Sequence, residues 1–448
     1  MFLETLDPWI RVILLAVAGL MTGALINYSI YRFCHYSQRR ISPWMARDDK
    51  ASPRKLLDYL PLIGWFFISR DEETHGKGFW IRPLLIEAGW MIGLPLFYQW
   101  QMSGGMSGPG AWPATSQMAW FFAFSIMIAL MSVATFIDFD ERMIPDEVTV
   151  TGTLIALVFA ALLPCVRLPN ILSPLAILMW GEAGQEPVLE SLHFNSPHQL
   201  PEFHLGWQGL AIALGIFTYW VIAILPRRST FRHGIGGYFK YLFAGLIRPR
   251  RKTKCEFRIE KRKIYPATAV MGWVWIVGMV LISLAWKMLP AVGWESLMGS
   301  LLGLGFAGTM IWLVRIVAGY ALGREAMGFG DVLLMFMLGA FLGWQASLML
   351  FGLASLLGVV FVLGYSLVTG NQEFAYGPYL CGGALVTVLF WPAIWGYAQT
   401  NFFFMGAYLL IVLFVALVAM AIMLMAISWV KGPYVDEEED DVEEDKKK

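Results

Sequence analysis

Two short stretches place carboxylates where a hydrophobic chain can least easily keep them. The first is Glu325 to Leu334, EAMGFGDVLL, in which Asp331 follows Gly328 and Gly330 and the apolar run resumes at once with Val332. A glycine costs a helix interior about 1 kcal/mol relative to alanine, so the two glycines mark backbone that is unwound or closely approached. The second is Ala134 to Thr149, ATFIDFDERMIPDEVT, an apolar run that ends in Asp138, Asp140 and Asp146. Ionisable groups in or beside membrane segments are expensive and therefore rare, which makes each a functional hypothesis. Taken alone, Asp331 reads as a helix N-cap whose side chain satisfies orphan amides. Taken together, the two stretches offer carboxylates that can face each other. Such a pair suits general acid and base catalysis on a peptide bond, because crowding two like charges lets one keep a proton while the other activates water. Asp146, between Pro145 and a Val/Thr run, reads as the N-cap of the next helix, and Asp140 as a local hydrogen-bonding group or an assistant.

Long apolar helices must position these acids. The chain has 448 residues, 58% of them hydrophobic and 15% charged, with a mean hydropathy of +0.60. These values exclude a soluble protein and predict an all-α polytopic membrane protein. Its hydrophobic runs approach the ~20 residues that cross a bilayer as a helix, and no alternating barrel strands occur. The composition carries no nucleic-acid signature. Cys34, Cys165, Cys255 and Cys381 form no CxxC pair, and the six histidines show no ligand spacing, so no metal site is expected.

In chain order the pattern predicts about eleven transmembrane helices, with the N-terminus outside and the C-terminus cytoplasmic. Residues 1–137 hold a retained anchor, Trp9 to Phe33, then a loop over 34–82 with nine Lys or Arg against six Asp or Glu, cytoplasmic by the positive-inside rule. Spans near Pro83 to Trp100 and Met118 to Ile137 bring Asp138 to the cytoplasmic side. Residues 138–166 carry the first carboxylate motif and a fourth span from Val148. Residues 167–296 read as an insertion with two extra spans. Its polar part, Arg167 to Gly206, has one basic residue and four glutamates, while the loop 227–266 holds thirteen Lys or Arg, a topology signal lying against anionic lipid. Residues 297–430 carry a seventh span over Leu297 to Gly319, the GFGD stretch, two spans within Val332 to Leu367 hinged near Gly343 to Ala346, and spans near Leu380 to Tyr397 and Phe402 to Val430. Residues 431–448 form an acidic tail, with nine acids between Asp436 and Asp445, read as solvated and without fixed structure. The even number of crossings between the acids predicts that Asp138 and Asp331 share one leaflet.

DxDxxxIPD followed by GFGD resembles the type IV prepilin peptidases, membrane aspartyl proteases of the GxGD type. The resemblance extends in collinear blocks to GALINYSIYR at Gly23, to Leu60–Trp65, to Arg82, Pro83 and Glu87, and to LGAFLGWQASL and Tyr376-Gly-Pro-Tyr379. It implies that Asp138 and Asp331 are the catalytic pair, supported by Gly328, Gly330, Asp140 and Pro145. The activity implied is removal of a basic leader from type IV prepilins or type II secretion pseudopilins at the cytoplasmic face of the bacterial inner membrane. The implied partners are those substrates and membrane lipids. Proteolysis needs no cofactor in this reading. Bifunctional members of the family also methylate the new N-terminus from S-adenosylmethionine, but their CxxC pairs are missing from the 34–82 loop. Leu333 stands where the family commonly has Lys, which removes a cation from beside Asp331, and residues 167–296 are extra. Two other classes fit membrane carboxylates: a secondary transporter or ion channel, and an inactive assembly scaffold of the same fold.

Overall fold

In the computed structural model the described residues are 5–33, 41–45, 48, 50–108, 112–170, 190–192, 196, 203–224, 267–322, 327–369, 375–406 and 408–431. The basic loop 227–266, the acidic tail, Cys34, Cys255 and most of the polar part of the insertion lie outside them. Apolar runs become helices: α1 (Pro8–Phe33), the short α2 (Ile63–Ile68) and α3 (Glu72–His75), α4 (Ile81–Met102), α5 (Ala114–Glu141), α6 (Asp146–Leu162), α7 (Trp207–Ile224), α8 (Ala267–Met288) and α9 (Ala291–Leu322). They continue with α10 (Phe329–Leu342), α11 (Trp344–Thr369), α12 (Gly377–Leu389), α13 (Trp391–Asn401) and α14 (Tyr408–Lys431). Among the described residues the only strands are Pro169–Asn170 and Glu190–Ser191, paired antiparallel.

Seven of these helices are long and apolar enough to cross a membrane, or eight if the bent pair α12 and α13 counts as one span. This is a multi-pass architecture, with fewer qualifying helices than the eleven expected. The three that fall short have physical reasons. Helix α4 carries Arg82 and Glu87 and a proline within it, α6 has 17 residues, and α10 has 14. The expected span near Leu380 is not straight. It turns by 92° between α12 and α13, where Pro392 follows Trp391; a proline lacks the N–H that would continue the ladder, and its ring clashes with the preceding turn. Within Val332 to Leu367 the chain breaks at Gly343, whose φ is +84°.

Helix α10 is the centre of the packing. Every residue from Asp331 to Leu342 is buried. Its axis lies so close to α9 that a Cβ added at Gly303 would strike the Gly339 carbonyl, and one added at Gly339 would strike the Gly303 carbonyl. Small residues at a membrane helix crossing permit this approach, so van der Waals contact between backbones replaces the hydrophobic drive that lipid cannot supply. Ser300 Oγ donates to the Ala340 carbonyl at 2.6 Å in the same crossing.

The flanks are tied by hydrogen bonds from buried polar groups. In the N-terminal part Glu87 of α4 accepts from Asn27 Nδ2 of α1 (2.9 Å), Trp65 Nε1 of α2 (2.8 Å) and the Leu62 amide (2.5 Å). Among the described residues Leu62 is one of two non-glycine residues with positive φ, so this carboxylate holds a strained turn. Around it Arg70 pairs with Asp58 and Arg54 with Asp71. Burial opposes the charge on Asp58, yet the Arg70 hydrogen bonds and the Lys55 amide hold its carboxyl below the usual range. At the opposite flank Arg167, just beyond α6, donates to the Glu295 carbonyl (3.1 Å), and His204 Nε2 lies 3.1 Å from Glu295 Oε1. Trp391 Nε1 donates to the Pro169 carbonyl at 2.8 Å. Arg167 and His204 are thus tied to the start of α9, and Pro169 to α13.

Two measurements follow from these ties. Replacing Glu87 by Ala strands three donors, and thermal unfolding in detergent is expected to show a loss of about 2–3 kcal/mol, the scale of hydrogen bonds to a charged group. Because the folded Asp58 carboxyl lies below its unfolded value, its contribution is present above the ordinary carboxylate range and is lost as pH falls through the depressed value. Limited proteolysis of the 50–80 region is therefore expected to stay slow at neutral pH and to accelerate below about pH 4, less so in Asp58→Asn.

Candidate active site

The two carboxylate stretches meet at one end of the bundle. Asp138 lies in the last turn of α5, four residues from its left-handed cap at Arg142, whose amide donates to the Asp138 carbonyl at 2.9 Å. Arg142 has φ +52°, and this reversal carries the chain through Ile144 and Pro145 into α6. Asp331 is the third residue of α10, after an N-cap at Gly328. Asp331 lies inside the first turn, is buried, and makes no cap hydrogen bond, which agrees with setting aside the cap that Asp331 alone suggests. The expectation that Asp146 is the N-cap of the fourth span is corrected. Pro145 occupies the cap position, and Asp146 is the first helical residue with its charge at the positive end of the helix dipole.

Both catalytic candidates are almost withdrawn from solvent, Asp138 at 5% and Asp331 at 6% exposure, and the charge of Asp138 acts on Asp331. Asp138 Oδ2 has no hydrogen-bond partner among the described residues. Buried polar atoms are rarely left so, and an orphaned carboxylate oxygen marks either strain or a reactive role. Like charges brought together in a medium that solvates them poorly tend to share a proton and titrate as one unit.

Other elements close around the two carboxylates. Gly377, the first residue of α12, donates its amide to Asp138, and a Cβ there would sit 2.5 Å from Asp138 Oδ2 and 2.9 Å from Ile144 Cδ1. Any side chain here would displace the Asp138 carboxylate and the end of Ile144. Tyr376 places its ring where the charge of Asp331 reaches it, and its hydroxyl lies 3.3 Å from Ser355 Oγ of α11. Cys381, one turn into α12, is buried within reach of both carboxylate charges and 3.8 Å from the Met131 carbonyl. Arg315 of α9 sends its charge toward Asp331.

The supporting residues separate by role. Gly330 packs against Ile144, where an added Cβ would come within 3.0 Å of the Ile144 Cβ, so this glycine lets the two motifs touch. At Gly328 an added Cβ would meet Asp331 Oδ2 at 3.7 Å and the Gly330 nitrogen at 3.9 Å, ordinary contacts, so no described neighbour crowds this position. Asp140 is taken by a bidentate pair with Arg82, at 2.6 and 2.8 Å, which clamps α5 to α4. Tyr376, Gly377 and Arg315 were not marked as site residues by the sequence, although a lone Arg inside an apolar run was a usable signal.

The arrangement defines a class: a multi-pass helical protein with two buried carboxylates, drawn from distant segments, at one end of its bundle. The comparisons agree with it. Residues 267–363, which include Asp331, match the type IV leader peptidase family. The prepilin leader peptidase/N-methyltransferase of Aeromonas hydrophila is 31% identical over 156 residues, covering 30% of this chain and 53% of that protein. The protein of the same name in Pseudomonas putida is 28% identical over 137 residues, covering 30% and 45%. That of Pectobacterium carotovorum subsp. carotovorum is 40% identical over 78 residues, covering 17% and 28%. This chain is thus similar to the type IV leader peptidases and spans about half the length of the first relatives it matches. No solved structure matches it.

The Gly377 contact yields a direct test. Gly377→Ala is expected to push the Asp138 carboxylate aside and cut turnover by about a hundredfold, the scale of a 1 Å misplacement. Circular dichroism would show helical content unchanged.

Proposed function

We propose that this chain is a membrane aspartyl endopeptidase that removes the basic leader of type IV prepilins or pseudopilins. The observation that carries the reading is the meeting of Asp138 and Asp331, two buried carboxylates held together at helix ends, one with an unpartnered oxygen. One carboxylate takes a proton from water as it attacks the scissile carbonyl, and the other, protonated, polarises that carbonyl and then hands its proton to the leaving amine. The catalytic pair sits at the cytoplasmic face of the inner membrane in this reading. It is supported by the basic residues of 34–82 and 227–266 on the same side of the expected crossings. A substrate with a hydrophobic helix in lipid and a charged leader in water would present its scissile bond at that level.

The names of the relatives also include N-methyl transfer, which draws on S-adenosylmethionine. In the described part of the 41–90 region Asp58, Asp71, Glu72 and Glu87 are engaged by protein donors, while Glu73 is exposed. No methylation step is derived for this chain.

The test is mass spectrometry of a synthetic prepilin-like peptide incubated with the detergent-purified protein. Cleavage after the leader Gly is expected for the wild type. Asp138→Asn and Asp331→Asn should each reduce it by at least about a thousandfold, as loss of a member of a catalytic unit does. Normal cleavage by either variant would overturn the assignment.

A further inference from the structure

Between Ser296 and Leu322 of α9, Arg315 is the one Lys, Arg, Asp or Glu in an otherwise apolar run. A guanidinium there is expensive unless its charge and its donors are used. Its Nε donates to the Met327 carbonyl at 2.8 Å, and its guanidinium carbon stands 5.6 Å from the centre of the Phe329 ring. Trp312, three residues earlier on α9, meets the same ring edge-on at 5.9 Å. Met327 to Phe329 is the segment that enters α10, and its N-cap Gly328 brings no side chain to hold it. Asp331 comes two residues later, and the Arg315 charge reaches it.

We infer that Arg315 is the positioning residue of the candidate site: from the neighbouring helix it fixes the Met327–Phe329 entry to α10 and supplies the positive charge that faces Asp331. Three features distinguish this from an incidental ion pair. The carbonyl bond fixes the backbone. The stack on Phe329 orients the guanidinium plane by a cation–π contact. The partner charge lies on a third group whose other charge partners among the described residues are acidic or neutral: Asp138 from α5, and Tyr376 and Cys381 at the start of α12. Position 333, where the resemblance places a basic residue, holds a buried Leu. Among the described residues the cation that reaches Asp331 therefore comes from α9 and not from α10. Arg315 touches no reacting atom; it acts through the carboxylate and the loop.

The inference rests on the peptidase reading, so its test carries one readout that needs no substrate. Full-length wild type, Arg315→Gln and Arg315→Lys are compared in detergent by turnover, by thermal unfolding, and by the rate at which a water-soluble carbodiimide with an amine nucleophile modifies Asp331 at pH 7, read by peptide mass spectrometry. For Arg315→Gln, kcat is expected to fall about a hundredfold with KM within about threefold, and Asp331 to be modified several times faster. Arg315→Lys should recover most of the turnover and the wild-type modification rate. Unchanged turnover and modification in Arg315→Gln would overturn the inference. So would equal impairment of both variants alongside a lowered melting temperature, which is the mark of packing alone. If Arg315→Gln does not fold, the modification rate of Arg315→Lys decides: the wild-type rate supports the role of charge, and the rate of thermally unfolded wild-type protein refutes it. If the wild type cleaves nothing while the modification rates differ as stated, the peptidase reading falls and the coupling of Arg315 to Asp331 stands.

Discussion

The structure depends on the contact between the backbones of α9 and α10 at Gly303 and Gly339. In lipid there is no gain from moving one apolar surface against another, so close packing and internal hydrogen bonds must hold the helices. Two glycines facing each other's carbonyls give the closest packing available, and Ser300 adds a hydrogen bond to the same crossing. Once α10 is seated it is enclosed on every side, and the first turn of this short helix has little freedom left. The position of Asp331 is thereby decided some two turns away from it.

The other half of the site is held differently. Asp138 ends a long helix whose neighbour Asp140 is bound to Arg82 of α4, and Gly377 closes over it from α12. A desolvated carboxylate is costly, and the protein offsets that cost with an amide and not with a cation on Asp138. The cation stands on the Asp331 side, at Arg315. Two chemically identical groups are thus given unequal surroundings, the general condition for dividing acid and base roles between them.

Much of this was legible in the chain. The two carboxylate stretches, the long apolar runs and the break at Gly343 follow from residue types and spacing, because membrane helices have a minimum length and glycine marks where they yield. The cap of α6 differs from the reading because sequence shows only that Asp146 stands near a helix start. Whether the chain enters one residue earlier or later is decided by packing, here of Gly330 on Ile144 and by Pro145 taking the cap. The 92° turn at Pro392 was hidden because the run from Leu380 is apolar enough for a straight span. Gly377 and Arg315 matter through partners about 240 and about 15 residues away, and a single sequence does not show such pairings. Arg315 announced itself only as a charge out of place.

The wide separation of the two aspartates has a consequence in time. Asp138 and the left-handed turn after it leave the ribosome roughly two hundred residues before Asp331, and Gly377 follows later still. At translation rates of about 5–20 residues per second, the first carboxylate waits on the order of ten to forty seconds for its counterpart. During that interval the nascent chain holds a solitary acid, which has no second group to share a proton with. A pair assembled in this order stays incomplete while the chain is being made. Its own membrane neighbours are exposed to the finished pair only after α9, α10 and α12 have all arrived.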